Sequence, residues 1–220
     1  MTGFQKILAL DTALNNCSAA IYDRGKVFSE SSAMMQGHAE HLLPMAERVL
    51  KKSDVAYADL EAVAVTTGPG AFTGLRIGLS AARAIGLALG VPVYGITTMQ
   101  VLALQAVREN AEPVAIVLDT KRADFYFQTF DAEGNALSAA AVMSGEAIKT
   151  DGFALVGDGV ERLSGEKSEI AAIDAALITE LLATRPELFS LGAEPVYLRG
   201  ADVTESKRTN RIFEGAQGLK

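Results

Sequence analysis

Cysteine is almost absent. Cys17 is the single one in 220 residues, so no disulfide can form within the chain and no cysteine-based zinc framework is available. Positive charge is also short: 20 Lys and Arg against 27 Asp and Glu leave a formal net charge of −7 and a pI near 4.9. That argues against non-specific nucleic-acid binding by the chain alone, because phosphate contacts need clustered Lys and Arg; if RNA is involved, a partner supplies most of the grip. Histidine occurs twice, at His38 and His41, and two imidazoles make no catalytic metal site without a third ligand. Long apolar runs are missing too. Residues 7–10 are too short a run for the core of a secretory leader. The longest uncharged apolar stretch, residues 84–96, is broken by Gly90 and Pro92 and falls short of the roughly 20 residues that cross a bilayer. Neither a G-x-S-x-G elbow nor an H-E-x-x-H signature is present. The missing apolar runs predict a cytoplasmic protein with no membrane association.

What is there is core-forming material. Hydrophobic residues make up 49% and charged residues 21% of the chain, with a mean hydropathy of +0.20, enough for one large domain or two small lobes. The order of elements favours two lobes. "KILALDT" reads as a buried strand closing on Asp11-Thr12, followed by "CSAAIYDRGKVFSESS", two strands about a turn at Asp23-Arg24-Gly25. "PVAIVLDT" closes on Asp119-Thr120 in the same way, and "DFYFQTFDAEGNALSAA" turns at residues 131–135. Both the strand-end aspartates (119 − 11) and the turn aspartates (131 − 23) are 108 positions apart, as an internal duplication requires, although two unrelated hairpins would read the same way. In the first half a helix is expected at residues 41–52, with Leu42, Met45, Ala46, Val49 and Leu50 on one face and Pro44 tolerable only in the first turn. Then come a strand "LEAVAVTTG", a helix at residues 72–90 and a strand "VPVYGIT". The second half is poorer: a strand within residues 153–159, a helix at about 174–184, a segment "EPVYLR", and a polar tail. Alternating strands and helices predict an α/β fold with a mixed or parallel sheet. The expected division is an N-terminal lobe over 1–105, a reduced C-terminal lobe over 106–192, and a C-terminal strand with a flexible tail over 193–220.

The helix at 72–90 carries small residues at Gly74, Gly78, Ala82, Gly86 and Gly90, every fourth position, the ridge along which helices interlock. Glycine costs about 0.5–1 kcal/mol relative to alanine inside a helix, so this edge needs a packing reason. The few polar positions, Thr73, Arg76, Ser80 and Arg83, leave no broad polar face, which predicts either burial against a second chain or complete enclosure within one domain.

Four features are candidates for chemistry. The Gly68-Pro69-Gly70 loop before that helix has neither a Walker ending nor G-x-G-x-x-G spacing; its amides can hold an anion or simply make the turn that feeds the helix. Asp11 and Asp119, with Thr12, stand at equivalent strand ends, where they either hold a magnesium nucleotide across a cleft or cap their turns. His38 and His41 can share one side of a helix, and Cys17 reads as a buried, inert thiol.

The segments "ILALDTALNNCSAAI", "HAEHLLP", "GPGAFTGLRIGLSAARAIGLALGVPVYGITTM", "DTKRADFYF" and "AEPVYLR" together span nearly the whole chain, and their combination resembles the bacterial TsaB family, formerly YeaZ. The Phe-Thr-Gly-Leu-Arg core of the glycine-rich segment is its specific signature. The resemblance implies two pseudo-symmetric lobes of the actin, sugar-kinase and heat-shock chaperone ATPase superfamily, the second reduced. It implies a non-catalytic scaffold that dimerises with and activates the transferase TsaD, which attaches threonylcarbamoyl to the adenosine beside the tRNA anticodon. The ATPase TsaE joins them, and the chain forms a homodimer when alone. TsaD carries a His-x-x-x-His metal motif; here the spacing is His-x-x-His, which argues against metal-dependent transfer in this chain. No cofactor is assigned to the chain itself, ATP or ADP with magnesium being the candidate at the interface of the complex, and tRNA is met only through the complex. The family's interface helices correspond to residues 41–52 and 72–90, giving as interface candidates Leu42, Met45, Val49, Phe72, Gly74, Leu75, Arg76, Gly78, Leu79, Ala82, Arg83 and Gly86. The competing expectation is an ATPase or small-molecule kinase that uses Asp11 and Asp119, and a weaker one has Lys207, Arg208 and Arg211 in the tail touching tRNA.

Overall fold

A computed structural model describes residues 3–198; the basic tail and the end of the expected C-terminal strand lie outside them. The first half opens with an antiparallel meander, β1 (Lys6–Asp11), β2 (Asn16–Asp23) and β3 (Lys26–Ala33). Helix α1 (His38–Ser53), β4 (Ala62–Thr66), α2 (Phe72–Leu89), β5 (Val93–Ile96) and α3 (Thr98–Glu109) follow. The second half has β6 (Val114–Asp119), β7 (Asp124–Phe130), β8 (Ala141–Ser144), β9 (Ala154–Val156), α4 (Val160–Ser164), α5 (Ala175–Thr184) and a two-residue β10 (Ser190–Leu191).

Two sheets form, ordered β10-β5-β4-β1-β2-β3 and β8-β7-β6-β9. In each, a three-strand antiparallel meander is followed by a strand parallel to its first: β4 lies along β1, and β9 along β6. The duplication is thus present in the hydrogen bonding. It is also reduced, since among the described residues no strand equivalent to β5 extends the second sheet. The third strand of that sheet comes later than its hairpin suggested. After the turn at Asp131 only Phe130 and Ala136 bridge, and the true return is β8.

Helices sandwich the first sheet. On one face α1 and α2 cover Leu8, Leu10, Cys17, Ile21, Val63 and Val65. On the other, α3 and α5 fill the space between the two sheets, so that Ile7, Ala9 and Ala64 share one core with Ile116, Leu118 and Phe130. Covered on both sides, β1 and β4 read as unbroken apolar runs rather than alternations. The central helices are exchanged between the halves: α3 packs on β6 and β9, whereas α5 packs on β1 and β2. The expected boundary at residue 105 therefore runs through α3, and α5, placed by sequence in the second lobe, lies on the sheet of the first.

Two local differences have simple causes. Pro44 sits inside α1, in its second turn, since the helix begins at His38. Pro44 and Glu40 are both exposed, so the Glu40 carbonyl that loses its partner faces water, where the cost is small. Among the described residues the last strand is β10, which begins four residues ahead of the expected one; residues 193–198 adopt neither helix nor strand.

Candidate functional site

The small-residue edge of α2 faces the chain's own first sheet. A Cβ on Gly74 would collide with the carbonyl oxygen of Thr12, one on Gly78 would lie 2.6 Å from Thr12 Oγ1, and one on Gly86 would collide with Val93 Cγ2. Thr12 Oγ1 donates to Gly74 O at 2.7 Å, pinning the helix to the end of β1. The expectation that this ridge receives a partner helix is therefore corrected: it receives β1, β4 and β5. Of the twelve interface candidates, Leu42, Met45, Val49, Gly74, Leu75, Gly78, Leu79, Ala82 and Gly86 are buried in the chain's own core. Arg83 is exposed but tied to the chain's own backbone, with Nη2 donating to Ala193 O at 2.9 Å. Phe72 and Arg76 remain exposed, the guanidinium lying 3.7 Å above the ring centre.

The opposite face of the same helix pair is the open one. Between α1 and α2 runs an apolar groove of about 590 Å³ lined by Ala39, Leu42, Leu43, Phe72, Thr73, Arg76, Ile77, Ser80 and Ala81. Of its lining, Leu43 is 43% and Phe72 56% exposed; farther along α2, Leu87 is 87% exposed. Leu43 and Ile77 line the groove yet stand outside the interface candidates, which follow the periodic apolar and glycine positions that a helix turns to its own sheet. The signal that marks them is the complementary strip, apolar residues lying off the small-residue edge. Helix α2 has 18 residues and a mean hydropathy of 1.2, enough by length and composition to cross a membrane; its glycine edge is instead fitted to three strands.

The candidate nucleotide carboxylates are both engaged. Asp11 is fully buried; its Oδ1 accepts from Thr66 Oγ1 at 2.6 Å and from Ala13 N–H at 3.1 Å, while Oδ2 is buried without a partner. Burial pushes its carboxyl up to about 6 against the pull of those two donors. The start of α2 closes over it: Ala71 N–H donates to Ala13 O at 2.8 Å, and neither Gly70 nor Gly74 has room for a Cβ beside Ala13 and Thr12. Asp119 is held at 3.0 Å by Arg162 and at 3.3 Å by Lys121, and its own N–H donates to Asp158 Oδ1 at 2.9 Å. Burial keeps the Asp158 carboxyl above its ordinary range. Asp11, Thr12 and Asp119 as arranged do not fit a magnesium nucleotide: one carboxylate is sealed, the other neutralised by two cations. The Gly68-Pro69-Gly70 loop is a turn tied to its surroundings, with Gly68 at φ 103° and its carbonyl accepting from Thr98 N–H at 2.9 Å. In the second half Gly157-Asp158-Gly159 follows β9 as this loop follows β4.

The remaining candidates separate. His38 is buried at the start of α1, while His41 is exposed with Nδ1 2.9 Å from Gly37 O. Among the described residues no three His, Cys, Asp or Glu side chains converge for a metal. Cys17 is buried in β2, and burial, with the Asp11 charge second, pushes its thiol up to about 11.

Comparison with known proteins agrees with this architecture. The family model described as TsaD, tRNA N6-adenosine threonylcarbamoyltransferase, matches residues 31–168, more than half of the chain. A Buchnera aphidicola protein named tRNA threonylcarbamoyladenosine biosynthesis protein TsaB is 29% identical over 86% of this chain and 95% of its own length. The Escherichia coli protein of the same name is 28% identical over 88% and 94%. The solved structure of YeaZ from Pseudomonas aeruginosa superposes with a TM-score of 0.76 at 27% identity, covering 88% of this chain and all of that one. With the duplicated sheet, the exchanged central helices and matches running almost end to end, the chain belongs to the threonylcarbamoyltransferase family that the TsaD model describes, in its TsaB (YeaZ) group.

Proposed function

We propose that this chain acts in the synthesis of threonylcarbamoyladenosine in tRNA as a non-catalytic cytoplasmic subunit that binds and activates the transferase TsaD. The observation that carries the reading is the groove between α1 and α2, an apolar surface with exposed Leu43 and Phe72 that nothing within the described chain covers. Contiguous exposed apolar surface of this kind marks a site of protein association. The names of the full-length relatives supply the pathway, and the engaged Asp11 and Asp119 support a role without chemistry of its own.

In this reading TsaD occupies the groove, a second copy covers it when TsaD is absent, and TsaE joins the pair. ATP or ADP with magnesium then belongs to the interface of the complex rather than to Asp11 and Asp119, and tRNA is engaged by the assembled complex. The test is Leu43→Asp, which puts a charge into the groove at a position already open to water. The variant should fold with the parent's thermal midpoint, fail to capture TsaD in a pull-down, and fail to restore the modified nucleoside in cells depleted of the parent. Capture and restoration at the parent's level would refute the docking face.

A further inference from the structure

The chain passes the edge of the first sheet and returns over it. β10 pairs with β5 through Ser190–Gly95 and Leu191–Tyr94, and Gly192 N–H donates to Val93 O at 2.8 Å. Ala193 then turns inward to complete burial, beside Gly95, where a Cβ would stand 2.8 Å from the Ala193 Cα. Farther on, Val196 N–H donates to Thr67 O at 2.8 Å, and the Tyr197 ring stops 5.9 Å from that of Phe72. No helix or strand holds residues 192–198; they form a strap whose end lies against the first residue of α2.

Arg83 fastens this strap from α2. Its Nη2 donates to Ala193 O at 2.9 Å and lies 3.0 Å from Glu194 Oε1. The Glu194 side chain is 83% exposed, so water and salt screen that ion pair and it contributes little. The bond to Ala193 is the effective one, because a carbonyl of a buried residue is costly to leave without a donor. Phe72 is thereby flanked by the Arg76 guanidinium and by Tyr197, which is itself half exposed.

We infer that Arg83 is a positioning residue of the docking surface: by fastening the strap at Ala193 it sets the Tyr197 ring against Phe72, and the TsaD surface that fills the groove contacts both rings. The inference rests on the docking reading above and adds to it a second aromatic residue and the device that places it.

Arg83→Met keeps the aliphatic stem and removes the donor. In hydrogen exchange on the full chain alone, the Gly192 and Val196 amides should exchange about tenfold faster in Arg83→Met, and within about twofold of the parent in Glu194→Gln. In calorimetric titration with TsaD, Tyr197→Ala and Arg83→Met should each weaken binding roughly 2- to 12-fold, the range of one aromatic pair. The double variant should be no weaker than the weaker single, since both remove the same contact. Parent-like binding by both single variants, or losses that multiply in the double, would overturn the inference. Phe72→Ala separates the two failures. If it weakens binding while the strap variants do not, docking stands and the strap inference falls; if all three bind like the parent, both readings fall together.

Discussion

Replacing Gly74 with alanine tests which neighbour the small-residue edge of α2 is built for. On an exposed helix the change would stabilise by about 1 kcal/mol, the difference in helix propensity. Here the added Cβ collides with the Thr12 carbonyl oxygen at the end of β1, a backbone atom that cannot rotate away. Helix and strand must separate, with an overpacking cost of about 1–3 kcal/mol, and the 2.7 Å bond from Thr12 Oγ1 to Gly74 O is stretched or lost, about 1 kcal/mol more. Set against the propensity gain, the net is a destabilisation of about 1–3 kcal/mol. Urea unfolding followed by circular dichroism, at two protein concentrations tenfold apart, measures it. The loss should be the same at both concentrations, because the contact lies within one chain; a defect in self-association would grow on dilution. A variant as stable as the parent, with only its association with a second copy or with TsaD weakened, would refute the assignment of this edge to the chain's own sheet.

The buried Asp11 makes stability depend on pH. Its folded value of about 6 stands above the ordinary 3.8, so folding favours the protonated form. Stability is fully present below about pH 4, falls as the unfolded chain ionises and the folded one does not, and levels off above about pH 6, a total of about 3 kcal/mol. In Asp11→Asn that loss between pH 4 and 6 should vanish from the variant's own curve of stability against pH, so that the difference between parent and variant carries it; an unchanged slope in the variant would place the titration elsewhere. In the second half, Arg162 donates to the carbonyls of Arg122 (2.6 Å) and Asp124 (2.5 Å), pairs with Asp119 and lies 3.8 Å above the Phe125 ring. Arg162→Met should therefore cost about 2 kcal/mol, a fall in midpoint of roughly 4–8 °C by calorimetry, whereas replacing Lys121, whose side chain is more than half exposed, with Met should cost about 0.5 kcal/mol.

Much of the fold is legible along the chain. β1 and β6 lie at the stated offset of 108 because each is an apolar run ended by Asp-Thr and followed by a hairpin, signals that act over a few residues. Helix α2 begins at Phe72 and ends at Leu89, where Gly90 takes a left-handed conformation, again a local cause. Less visible is α3: its Thr97 cap, which accepts from Gln100 N–H, follows directly on the strand signal of residues 91–97, and its apolar residues belong to two sheets at once. The exchange of α3 and α5 between the halves rests on contacts far apart in sequence, and nothing local encodes it.

The candidate site divides the same way. By its residue types the sequence determined the family, the duplicated α/β architecture, and the fact that α2 must press a small-residue edge against something. Only the tertiary structure decided what that something is. A glycine ridge records how closely a neighbour approaches, and a strand of the same chain satisfies it as well as a helix of another. With β1, β4 and β5 taking that edge, the docking surface passes to the far side of the helix pair, to Leu43, Phe72 and the groove between them. Likewise Asp11 and Asp119 are matched by sequence at equivalent strand ends, but burial against α2 and pairing with Arg162 are properties of the packed molecule, and these decide that neither carboxylate is free for a metal.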